Sequence, residues 1–112
     1  MVKDVTKYNI DIFRGDTFEA NLEIDGYVLG ENDEIRYAVK CSTGLTEPVL
    51  FERVITYPFN DVRIVFAHSD TDDLEEGTYY YDVQLSIARA GDEPIVRTIL
   101  YGELRIKGDV TD

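Results

Sequence analysis

Tryptophan is absent from this 112-residue chain, and cysteine, histidine and methionine occur once each. The single cysteine, Cys41, rules out an intrachain disulfide and fits assembly in a reducing compartment. The single histidine, His68, cannot build a multi-histidine metal centre, even with that thiol beside it. Basic residues are scarce: 11 Lys and Arg stand against 23 Asp and Glu, a formal charge of −12. A field of that sign repels phosphate backbones and anionic lipid, which argues against nucleic acid and membrane surfaces as partners. No apolar run approaches the length of a membrane span, and the opening MVKDVTKYNI lacks the apolar stretch of a secretory signal. Phosphate-cradling glycine loops and nucleophile elbows are missing as well.

Aromatics, by contrast, are plentiful, with eight Tyr and five Phe, and the acids are spread along the chain rather than gathered in a tail. Length and apolar content predict one folded domain over 1–112, with 1–7 a flexible N-terminus and 107–112 a C-terminal tail. The clearest pattern lies between Asp72 and Ile87. There Tyr79, Tyr81, Val83, Leu85 and Ile87 alternate with Thr78, Tyr80, Asp82, Gln84 and Ser86, which predicts a strand with one buried face. Shorter alternations appear at Tyr8–Phe13, Thr17–Ile24, Ile35–Cys41 and Asp61–Ala67, and a strand of unsettled phase at Val49–Ile55. Asp25-Gly26 reads as a turn, Thr43–Pro48 as a loop, and Tyr57-Pro58 as a break. Ile95–Ile106 predicts one long strand or two joined at Gly102, with Val96, Leu100, Leu104 and Ile106 on one face and Ile95, Ile99 and Tyr101 on the other.

Only His68–Glu76 looks helical, with Ser69 or Asp70 as its cap, acids at its positive end and Gly77 ending it. Seven or eight short strands with regular turn signals predict an all-β fold, an antiparallel two-sheet sandwich with one helical turn. A small closed barrel is the alternative.

No constellation carries catalysis. Arg14-Gly15-Asp16 matches the tripeptide that integrins recognise, but Gly15 and Asp16 also suit a tight strand connection, the preferred reading. The acids Asp70, Asp72, Asp73, Glu75 and Glu76 lack the order of a calcium-binding loop and read as helix-start charges. A His68–Cys41 dyad fails because Cys41 continues the apolar face of Ile35, Tyr37 and Val39, where a buried thiol is inert. The expectation is no enzyme, cofactor or metal. Tyr80, Ile95, Ile99 and Tyr101 then form the candidate interface, filling a sheet buried on both faces or making an apolar patch that a partner covers.

Leu74-Glu-Glu-Gly77-Thr-Tyr79-Tyr-Tyr81 resembles the L-x-x-G-x-Y-x-[YC] corner of immunoglobulin-like sandwiches. That resemblance makes Gly77, Tyr79 and Tyr81 a structural corner, with the Tyr79 hydroxyl bonding back to upstream backbone. Without a disulfide or tryptophan, the chain is not of the antibody type.

Three segments together are closer to small sandwich domains of bacteriophage tail and baseplate proteins, including the N-terminal domain of the baseplate upper protein family. Ile12-Phe-Arg-Gly-Asp-Thr-Phe18 resembles their R-G-D-[ST]-[FW] opening, and Asp73–Gln84 their L-x-x-G-x-Y-x-Y-D-[VL]-Q segment. Gly102–Thr111 resembles their closing G-x-[LF]-x-[IV]-x-x-D-[VI]-T. The resemblance implies a non-enzymatic virion or prophage structural protein, assembled in the bacterial cytoplasm with itself, as a homo-oligomer, or with other tail components. A carbohydrate- or receptor-binding module is the alternative, which exposed tyrosines in a groove would favour.

Overall fold

Strict alternation between Thr78 and Ile87 makes that stretch a strand that can bury one face, and it becomes the middle of a sheet. The computed structural model describes residues 6–22, 28–41, 49–59 and 62–108. Along the chain run β1 (Thr6–Lys7), β2 (Ile10–Phe13), β3 (Phe18–Asn21), β4 (Glu34–Lys40), β5 (Val49–Thr56) and β6 (Arg63–Phe66). The helical turn α1 (His68–Asp72), β7 (Gly77–Arg89) and β8 (Asp92–Lys107) complete them. The fold is all-β. Asp25-Gly26, the 43–48 loop and the chain ends 1–5 and 109–112 lie outside the described residues.

The large sheet has the order β1–β8–β7–β4–β5, with β2 also on β8, and the small sheet pairs β3 with β6. The expectation of a wholly antiparallel fold does not hold. Both β1 and β2 run parallel to β8, pairing Thr6 with Leu100 and Ile10 with Leu104, so the large sheet is mixed. Residues 6 and 7, assigned from the sequence to a flexible end, form β1, and Lys107, assigned to the tail, closes β8.

One core is drawn from both sheets: β4 (Ile35, Tyr37, Val39), β7 (Tyr81, Val83, Leu85, Ile87), β8 (Leu104, Ile106), β2 (Ile10) and β6 (Ile64, Phe66). Phe66 is its hub. Its ring meets Phe18 at 5.7 Å, Phe51 at 5.7 Å, Tyr81 at 5.9 Å and Tyr37 at 6.1 Å between centroids. The Tyr37 hydroxyl donates to the Val65 carbonyl at 3.2 Å and accepts the Val65 N–H at 3.0 Å, stitching the two sheets together.

Strand β8 does not keep one phase. Val83 pairs with Leu100 and Gln84 with Thr98, so Ile99 is an inserted residue that shifts the register by one. An inserted residue sends every side chain beyond it to the opposite face. Ile95 and Ile99 therefore join the core from before the bulge, and Leu104 and Ile106 from after it, while Val96 is exposed. A second irregularity near the β7–β8 turn accommodates Pro94, which has no N–H for a ladder.

β1 and β2 keep one register on β8, interrupted at Tyr8 and Asn9. Tyr8 N–H donates to the Tyr101 carbonyl at 2.9 Å, and Asn9 Oδ1 accepts the Glu103 N–H at 3.0 Å. The Tyr8 carbonyl turns inward to accept the buried Tyr81 hydroxyl at 2.6 Å. Gly102 makes room for it, since a Cβ there would lie 1.9 Å from the Tyr8 oxygen.

Burial, reinforced by repulsion from Tyr8, pushes the Tyr81 hydroxyl up from 10.0 to about 12. A group that keeps its proton longer when folded contributes stability that is complete below its unfolded pKa and is lost as pH rises through the folded value. Stability should therefore fall between pH 10 and about 12. Tyr81→Phe should flatten that alkaline slope and lower stability at neutral pH by about 1 kcal/mol. Denaturant unfolding at stepped pH checks both, and an unchanged slope in the variant would remove Tyr81 as the cause.

Candidate binding face

Tyr79 and Tyr81 look inward from β7 and serve structure. The Tyr79 hydroxyl donates to the Glu75 carbonyl, four residues upstream, at 2.7 Å, closing the corner that leads into β7. Gly77 opens β7 instead of ending α1, which already stops at Asp72. The helical turn is shorter than the sequence suggested, and Ala67 rather than Ser69 or Asp70 stands at its N-cap. Asp70 still secures its start, for its carboxylate accepts the Ala67 N–H at 2.9 Å and takes Arg53 Nη2 on both oxygens at 2.5 Å.

The Arg14–Asp16 connection is a tight turn fixed onto α1. Gly15 has φ 87°, a left-handed conformation that glycine adopts without strain, and the Asp16 N–H donates to the Phe13 carbonyl at 3.0 Å. His68 Nδ1 lies 2.6 Å from the Gly15 carbonyl, and Thr71 Oγ1 donates to the Asp16 carbonyl at 2.8 Å. His68 is thus tied to a turn. Cys41 follows the end of β4 and is exposed, contrary to the expectation of a buried thiol, because the strand stops one residue short of it. Among the described residues, no three His, Cys, Asp or Glu side chains converge to hold a metal ion. No helix there is long and apolar enough to cross a membrane.

Of the four residues singled out for an interface, the structure brings two together. Ile95 and Ile99 belong to the core, turned inward by the bulge. Tyr80 and Tyr101 lie on the outer face of the large sheet. Cross-strand partners share a face, so the register gives that surface as rows. One row runs Glu52, Ala38, Asp82, Tyr101 and Lys7; the next contains Lys40, Tyr80 and Glu103. Ala38 offers only a methyl group between longer neighbours, and a hollow of about 380 Å³ opens above it. Burial raises the Asp82 carboxyl above the usual carboxylate range, partly offset by Lys40. The Asp82 carboxylate makes no hydrogen bond among the described residues, whereas Glu103 Oε1 accepts Arg105 Nε at 3.0 Å and Nη2 at 2.7 Å.

The chain matches no model of a known protein family and no curated protein.

Two further features escaped the sequence. Asp33 is buried at 5% exposure, and it accepts the Gly30 N–H at 2.7 Å and the Ala88 N–H at 2.8 Å. It pins the loop before β4 to the end of β7, though in the sequence it is one acid among 23. The second is β5. It pairs with β4 alone among the described residues, leaving its other backbone edge without a strand. Beside that edge Val49, Leu50, Val54 and Tyr57 are exposed.

Proposed function

We propose that this chain is a non-enzymatic structural module of a bacteriophage or prophage particle, an immunoglobulin-like tail or baseplate component that works by assembly. The three segments resembling tail and baseplate domains support the viral setting. The observation that carries the assembly reading is β5, an eight-residue edge strand with exposed Val49, Leu50 and Val54. Unpaired N–H and C=O groups in an extended row are a template for another strand, and apolar neighbours add buried area on contact. The partner is a second copy or another tail protein, joined in the host cytoplasm and carried in the virion. Two layers over one apolar core, with Tyr79 bonded back across its corner, are compatible with the immunoglobulin-like form of the proposal.

Val54→Lys tests this. Lysine on an edge strand discourages pairing without disturbing the core, since Val54 is 43% exposed. Light scattering at several concentrations should show association of the native chain and its loss in the variant, with unfolding stability changed by no more than about 0.5 kcal/mol. A native chain that stays monomeric and also captures no flanking tail protein would count against the reading.

A further inference from the structure

Asp82 on the outer face raises a question that edge assembly does not answer. It is a partly buried carboxylate without a hydrogen bond among the described residues, flanked across the ladder by Ala38 and Tyr101, with Tyr80 two residues along β7. We propose that this groove is a carbohydrate site for a neutral pyranose glycan of one or two rings. The inference is independent of β5, which lies at the sheet edge.

Size comes first. At about 380 Å³ the hollow lies toward the small end of ligand clefts, which run from about 300 to 1,000 Å³. The occupant must be read by side chains, because β7 is bonded to β4 on one side and β8 on the other. An extended peptide laid here finds no free ladder to join, so the strand addition available at β5 is closed to it.

Charge narrows the class further. Lys7 and Lys40 face Asp82 and Glu103, so the groove is balanced within a chain of formal charge −12. An anionic ligand meets the repulsive field of the whole protein. A cationic one meets two lysine ammonium groups lining the same groove. A neutral polyol meets neither obstacle.

The available chemistry suits a sugar ring, which has C–H faces and hydroxyls that both donate and accept. The Tyr80 and Tyr101 rings offer apolar faces with polar tips. Asp82 accepts, the two lysines donate, and the phenol hydroxyls do either. A hydroxyl reaching Asp82 supplies the hydrogen bond that its partly buried carboxylate lacks.

The test is an amide NMR titration of the full chain with four neutral probes: maltose, cellobiose, lactose and N,N′-diacetylchitobiose. At least one should shift amides of residues 38–40, 80–82 and 98–103 in a concentration-dependent way. Tyr101→Ala and Asp82→Asn should each weaken that binding roughly three- to tenfold. Unchanged thermal unfolding in both variants separates lost contacts from lost fold. Glucuronic acid and a short oligolysine serve as anionic and cationic comparators. No response to any neutral probe, shifts lying elsewhere, or tighter binding of either comparator overturns the proposal.

Discussion

Phe66→Ala should lower the unfolding free energy by about 3–5 kcal/mol, the usual range for removing a buried aromatic ring. Phe66 is fully buried, and its ring touches four others from β3, β4, β5 and β7. Those strands belong to both sheets, so the lost ring leaves a void that neither sheet can close alone. A rigid interior does not refill such a space, and the missing dispersion contacts add to the lost transfer energy. Phe66→Leu keeps much of the volume and should recover more than half of the loss. Denaturant unfolding of both variants, monitored by circular dichroism, measures the difference. Equal losses would mean that the ring contacts matter more than the volume at this hub.

Gly102→Ala should damage a different place by a different route. The added methyl carbon has to occupy space within 1.9 Å of the Tyr8 oxygen and 2.7 Å of its carbonyl carbon. Both are backbone atoms, so no rotamer change relieves the overlap. The first strand must move away from β8, and the Tyr81 hydroxyl then loses its buried acceptor. Overpacking of this kind typically costs about 1–3 kcal/mol, and the unmet hydroxyl adds about 1 kcal/mol more. Hydrogen exchange distinguishes this from general loosening: amides of Thr6–Phe13 and their β8 partners should exchange faster well before those of β4. Uniform acceleration across the sheet would contradict the assignment of strain to the β1–β8 seam.

The contrast between these residues shows what could be read from the chain beforehand. The faces of β7 and β6 were legible, because alternation is a local property and each strand keeps its phase. Phe66 could be placed on the core face, but not as a hub, since its ring partners are distant in sequence. In β8 the alternation misled. The bulge at Ile99 depends on which residue faces Gln84, and no composition marks it. Alternation alone consequently groups Ile95 and Ile99 with Tyr101, although their side chains leave the opposite face. The unsettled phase of β5 has the same cause, for a shift between Val39 and Lys40 makes Leu50 an extra residue there. The groove was half legible. Tyr80 and Tyr101 stood out as aromatics, whereas Lys7, Ala38, Lys40 and Asp82 acquire meaning only from strand order.

The pairing of Thr6–Phe13 with the far end of β8 also governs the order in which this protein can be made. Contacts between residues so distant in sequence close a very long loop, and folds rich in them form slowly. During synthesis from the N-terminus, the first strand emerges while its template, Leu100–Lys107, does not yet exist. Until then its exposed Ile10 and Ile12 are open to other chains, and the large sheet presents the first half of β7 as an edge. A nascent chain stalled before Leu100 should therefore be protease-sensitive between Thr6 and Phe13. Release of the last strand completes both the sheet and the floor on which the Tyr80–Tyr101 groove is built.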